Sequence, residues 1–175
     1  MFENLAKHRK ILVTGPHRSG TTFAATAIAH DTGHGLVREE LCRFSRKGLE
    51  HWIENDARVV IQAPFASDIC HQFPTAMVVF MHRDIEDIEA SQKRMFNSDG
   101  SDVAWFGFEF REREHYHTDD FSRPISEIKY DVWQEQKKKL LNFMELQYES
   151  LSEHPLWVAK ECRKDFHVRQ THAVG

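Results

Sequence analysis

Apolar residues along the chain fall into short continuous runs separated by longer amphipathic stretches. Ile11-Leu12-Val13-Thr14 is a β-rich run that stops at Gly15-Pro16, a turn signal, and so reads as a buried strand. Thr21 to His30 is rich in alanine, with Phe23, Ala24, Ala27 and Ile28 on one stripe and Gly33 placed to close a helix. A short strand near Gly35-Leu36-Val37 follows. Two further runs, 58–62 and 76–81, are too continuously apolar for a sheet with one wet face, which predicts central, parallel strands. Asp84 to Met95 opens on Asp84, Glu86 and Asp87 and closes on Lys93 and Arg94, the charge order that complements a helix dipole. Between Phe96 and Pro124 no period persists, and aromatic residues stand among acids and histidines; 96–124 is expected to be an ordered insertion forming a lid or substrate wall. Residues 125–140 read as a helix, and 143–148 alternate as a strand does. Strands alternating with helices imply a three-layer α/β/α sandwich with a mostly parallel central sheet, whose ligands lie at the carboxyl ends of the strands. Neither a repeat nor a second-domain boundary interrupts the chain, so 1–175 is read as a single domain.

The 175 residues suffice for a core without disulfides, and 41% apolar with 29% charged residues suits a globular protein. No apolar run reaches the ~18–20 residues of a membrane span, and the first ten residues lack a secretory apolar stretch, so the expectation is a cytoplasmic protein with no membrane partner. Cys42, Cys70 and Cys162 are widely spaced and read as reduced thiols. A net charge of −4 excludes a general nucleic-acid binder, which needs a basic stripe. Any anion must therefore be held by a local site.

Gly15-Pro16-His17-Arg18-Ser19-Gly20-Thr21-Thr22 supplies such a site. Its glycine spacing is that of the P-loop, in which backbone N–H groups and a helix N-terminus surround an anion. A nucleoside-triphosphate site has lysine after the second glycine; here Thr21 stands there, and the basic side chain is Arg18, inside the loop. Pro16-His17-Arg18-Ser19-Gly20-Thr21-Thr22 resembles the 5′-phosphosulfate loop of sulfotransferases, which use 3′-phosphoadenosine-5′-phosphosulfate (PAPS). A sulfuryl group carries less charge than a γ-phosphate and needs no magnesium, so a guanidinium fork and two hydroxyls can serve it.

The resemblance implies further roles in the family's order. Arg83 and Ser91, eight positions apart, are similar to the family's pair that grips the cofactor's 3′-phosphate. Tyr148-Glu149-Ser150-Leu151 looks like the Tyr-Glu-x-Leu segment after a central strand. Phe166 to Thr171 is similar to the late Phe-x-Arg-Lys-Gly element, with Arg169 as the arginine, the spacing off by one and Gln-Thr in place of Lys-Gly. The likeness spans about 11–171. Phe23 stands where cytosolic members place a Trp that packs on adenine, and the chain is shorter than most members.

Sulfuryl transfer needs a base near the acceptor and positive groups near the sulfuryl oxygens. Arg38-Glu39-Glu40 resembles the paired-Glu segment of tyrosylprotein sulfotransferases, which implies Glu40 as base and Glu39 as reserve; His17 and His82 are alternatives. A metal reading of His115-Tyr116-His117 with Asp119 and Asp120 lacks the i,i+4 spacing of strong motifs, so no metal is expected. The expected function is a P-loop-type sulfotransferase that uses PAPS, releases the 3′,5′-bisphosphate (PAP), and acts on a small-molecule or peptide acceptor. The alternatives are a small P-loop kinase or NTPase, and a binding module for a 3′,5′-bisphosphate nucleotide that does no chemistry.

Overall fold

The computed structural model of the chain describes residues 1–96 and 103–157. Cys162 and the Phe166–Thr171 segment with Arg169 lie outside them.

Among the described residues five strands form one sheet: β1 (Lys10–Thr14), β2 (Gly35–Val37), β3 (Val59–Gln62), β4 (Met77–His82) and β5 (Phe143–Gln147). Their order is β2-β3-β1-β4-β5, and every pair is parallel. The two runs read as central, with the buried 11–14 run between them, are the three middle strands. Side-chain alternation divides them: Ile11, Val13 and Val79 enter one core, while Leu12, Val78 and Phe80 enter the other.

The first core is covered by α1 (Thr21–Thr32), whose Ala24, Ala25, Ala27 and Ile28 let the helix approach the sheet. Gly33 ends α1 in the left-handed region (φ 68°) and returns its N–H to Ala29. The second core is covered by α2 (Arg46–Glu54) through Leu49 and Ile53, and by α5 (Ile125–Lys137) through Trp133, which stacks on Phe80 at 4.2 Å. Helices on both faces make the expected three-layer α/β/α sandwich. The remaining α-helices among the described residues are α3 (Ile85–Phe96) and α4 (Val103–His115). Asp84 caps α3, its Oδ1 accepting from the N–H groups of Glu86 and Asp87 at 2.9 and 3.2 Å. Helix α4 occupies part of the stretch in which no period was legible. Among the described residues no helix is long and apolar enough to cross a membrane. Cys42 and Cys70 are buried free thiols, both pushed up by burial, to about 11 and about 12.

One polar contact ties distant parts of the chain together. Asp31 lies at the C-terminal end of α1, where the helix dipole disfavours an acid. It accepts hydrogen bonds from Phe2 N–H (2.9 Å) and the Met1 amine (2.9 Å), and its other oxygen lies 3.0 Å from His154 Nε2. Leu156 N–H donates to His154 Nδ1 at 3.1 Å, which leaves Nε2 as the protonated nitrogen and the donor to Asp31. Burial raises the Asp31 carboxyl, but these donors outweigh it and hold the group below the usual carboxylate range.

Because that pKa is lower in the folded chain than in the unfolded one, the stability it supplies is complete above the ordinary value of about 3.9 and is lost as pH falls below it. Asp31→Asn is therefore expected to destabilise the fold near neutral pH by about 1.5–3 kcal/mol, the worth of a hydrogen bond to a charged group, and to flatten the acid limb of the Tm-against-pH curve. An unchanged Tm in thermal denaturation would contradict this.

Candidate anion-binding site

The loop between β1 and α1 is shaped by three left-handed residues, Gly15 (φ 136°), Arg18 (φ 72°) and Gly20 (φ 97°). A Cβ on Gly15 would stand 2.8 Å from the Met81 carbonyl oxygen, and one on Gly20 would enter the Tyr148 ring. The loop thus packs directly on the ends of β4 and β5. Its turn closes through Ser19 N–H to Pro16 O at 3.1 Å, and the first turn of α1 holds no acidic residue to satisfy its positive end.

Helix α3 grips the loop from outside. Gln92 Nε2 donates to the His17 carbonyl (2.9 Å), and Arg18 Nε donates to Ser91 Oγ (3.1 Å). Arg83, at the end of β4, donates from Nη1 to the Arg18 carbonyl (3.1 Å) and lies over the Tyr148 ring at 4.2 Å, while its buried Nε has no hydrogen-bond partner among the described residues. Arg83 and Ser91, paired by the family resemblance, are thus joined in space through Arg18.

A cavity of about 960 Å³ opens over these groups. Gly20, Thr21 and Thr22 form its floor, and Arg18, Arg83, Ser91 and Arg94 one side. Phe23, Tyr148 and Trp157 form an aromatic wall, Phe23 meeting Trp157 edge-on at 5.2 Å. Burial, and then the charge of Arg83, lower the Arg18 guanidinium. A partly buried cluster of cations beside a helix N-terminus is suited to an anion with more than one charged group.

The rest of the cavity has different chemistry. It is lined by His17, Arg38, Glu39, Gln62 and Pro64. Gln62, the polar end of β3, reaches Thr21 Oγ1 with Nε2 (3.5 Å) and accepts the Glu39 N–H at Oε1 (3.4 Å). That tether turns Glu39 inward, and its buried Oε2 stands 3.9 Å from His17 Nε2. Burial, followed by the charge of Glu40, raises the Glu39 carboxyl above the usual range, against a lowering by Gln62.

Of the glutamate pair, the structure brings Glu39 to the cavity and leaves Glu40 outside it. After Val37 the chain enters a tight turn (Leu41 N–H to Arg38 O, Cys42 N–H to Glu39 O), which leaves Glu40 exposed and outside the cavity lining. Pro16 and Ser19 are buried beneath the loop rather than in the cavity wall. His82 is 3.4 Å from Glu145 and stacks on Tyr130 at 5.2 Å, also away from the cavity. Of the aromatic residues assigned to a substrate wall, Phe106 and Phe110 are exposed, and Phe108 meets His17 edge-on at 5.4 Å. The groups weighed for metal binding have separate partners: His115 pairs with Asp68 (3.0 Å), and Asp120 accepts from Ser122 N–H (2.9 Å).

Lys129, Glu112 and Gln62 at the site were not anticipated. Lys129 of α5 and Glu112 of α4 form an ion pair behind His17, with Lys129 Nζ 3.2 Å from His17 Nδ1 and Glu112 Oε2 3.8 Å from it. The sequence signal for Lys129 is its place between Ile125 and Trp133, one turn from each, on the apolar face of α5. Gln62, closing an apolar strand, was legible in the same way.

No protein-family profile matches the sequence, and no curated protein does. Among solved structures, the chain is similar to shikimate kinase from Acinetobacter baumannii in complex with shikimate, at TM-score 0.52 and 12% identity, covering 100% of both chains. It is also similar to the YorR protein of Bacillus subtilis in complex with phosphorylated GDP, at TM-score 0.46 and 16% identity, over 95% of this chain and 99% of that one. The first likeness is one of fold: a mostly parallel α/β sandwich. At such identity it is a likeness of fold, and the chemistry has to be argued from the site.

Proposed function

We propose that this protein is a PAPS-dependent sulfotransferase. The observation that carries the reading is the junction of Arg83, Arg18 and Ser91 at the end of β4, which sets a second cationic socket beside the phosphate loop within one cavity. In this reading the loop amides with Thr21 and Thr22 hold the 5′-phosphate, Arg83 and Ser91 take the 3′-phosphate, and Phe23 with Tyr148 borders the adenine. Arg18 faces the sulfuryl oxygens and the bridging oxygen. Glu39 accepts the acceptor's hydroxyl or amine proton as the new bond to sulfur forms. The S–O bond to the nucleotide breaks with its electron pair passing to the 5′-phosphate oxygen, and PAP leaves. The reading includes no metal, and the residue beside Thr21 is the neutral Gln62.

The second reading is a small P-loop kinase, favoured by the fold shared with the A. baumannii shikimate kinase. It requires ATP and magnesium at a loop with Thr21 in the lysine's place. Calorimetry separates the two. PAP is expected to bind at least tenfold tighter than AMP without magnesium, as charge-assisted contacts to one extra phosphate provide. Equal affinity for AMP and PAP, or tight binding only of magnesium-ATP, would overturn the assignment in favour of the kinase. Tight PAP binding with no sulfation across a panel of phenols, alcohols and amines would leave a bisphosphate-binding module.

A further inference from the structure

Lys129 is 2% exposed, on the face of α5 between Ile125 and Trp133. Its ammonium pairs with Glu112 of α4, lies over the Tyr116 ring at 5.5 Å, and approaches His17 Nδ1 at 3.2 Å. An ammonium has three donors and no acceptor, so the hydrogen bond runs from Lys129 to Nδ1. A neutral imidazole whose Nδ1 accepts carries its proton on Nε2, and Nε2 is the nitrogen on the cavity side, toward Glu39. At 3.9 Å Glu39 is beyond hydrogen-bond distance, so this N–H has no acceptor there.

Every group packed on the ring bears on its charge. Lys129 of α5 and Arg18 of the loop oppose protonation, Glu112 of α4 and Glu39 favour it, and the edge of Phe108 removes water. Burial first, then the Lys129 charge, push the His17 pKa down to about 3. Gln92 of α3 holds the His17 carbonyl and thereby the backbone that aims the ring.

We propose that His17 is a neutral hydrogen-bond donor of fixed tautomer, held by Lys129 at Nδ1, and offers its Nε2–H to an oxygen of the transferring group beside the Glu39 carboxylate. This assignment rests on the reading of the cavity as a PAPS site. It removes His17 from the candidate bases: between pH 5 and neutrality it takes up no proton, and its second lone pair is already engaged by Lys129. Lys129 is a positioning residue, since it acts on the reacting group only through His17.

The test has two parts. Long-range ¹H–¹⁵N spectra of the full chain are expected to show His17 protonated at Nε2 and bare at Nδ1, unchanged from pH 5 to pH 8. In the K129M/E112Q double variant, which leaves no buried charge unpaired, the ring is expected to exchange tautomers and titrate. Calorimetry with PAPS and PAP, without acceptor, is the second part. His17→Phe is expected to lose on the order of tenfold in PAPS affinity and none in PAP affinity, and His17→Gln, whose amide nitrogen occupies the Nε2 position, to recover it. A wild-type ring protonated at Nδ1, a ring titrating between pH 5 and 8, or a His17→Phe variant with wild-type PAPS affinity would each overturn the proposal. Failure of the wild type to bind either nucleotide would instead remove the PAPS reading on which it rests.

Discussion

Glu39→Gln is expected to lower turnover with a competent acceptor by about 10²–10⁴, the usual worth of a general base, and to leave PAP affinity nearly unchanged. The amide keeps the shape of the side chain, and the Glu39 N–H remains tethered to Gln62. Glu40→Gln is expected to retain the wild-type rate, because Glu40 faces solvent. The pH profile supplies an independent check. Burial raises the Glu39 carboxyl, so the rate is expected to fall on acidification at a higher pH than an ordinary carboxylate would give, and that limb should vanish in the variant. A fast Glu39→Gln enzyme, or a slow Glu40→Gln one, would remove Glu39 from the role of base.

Arg83→Ala is expected to lower PAP affinity by one to two orders of magnitude while AMP binding changes little, which erases the preference for the 3′-phosphate. The buried Nε of Arg83 has no partner among the described residues, and the guanidinium plane is held on the Tyr148 ring. Both make the fork, and not the charge alone, the recognising element. Arg83→Lys is accordingly expected to recover only part of the affinity. Arg83 also braces the loop through the Arg18 carbonyl, so a structural contribution would appear as an equal loss for AMP and PAP. That equal loss would refute the 3′-phosphate role.

The strands of the sheet's middle were legible because burial on both faces demands unbroken apolar runs such as 77–81, and the phosphate loop because its glycines answer a backbone need. Helix α2 was not anticipated: Leu49, Trp52 and Ile53 carry its helical spacing, but in a segment of 9 residues the period has no room to repeat. Helix α4 was hidden for a different reason. Phe106, Phe108 and Phe110 alternate along the chain, and two of them point to solvent, so the apolar pattern contradicts the helix that carries them. The choice between Glu39 and Glu40 turns on the Gln62 tether, a contact between residues 23 apart that leaves no local trace. Trp157 meets Phe23 by the same kind of long-range packing. Lys129 was legible in principle as a charge within an apolar stripe, since such a charge must find a partner when buried.

The strand order also constrains how the protein is made. Strand β1 is the middle of the sheet and precedes the other four strands along the chain, yet its neighbours are β3 and β4. Val59 follows Thr14 by 45 residues (59 − 14), so at about 5–20 residues per second β1 waits about two to nine seconds for its first partner. During that interval Ile11, Leu12 and Val13 form an unpaired apolar edge, open to chaperones and to other nascent chains. Translation speed between β1 and β3 therefore becomes a determinant of yield, and slowing it is expected to increase aggregation without altering the stability of the finished fold.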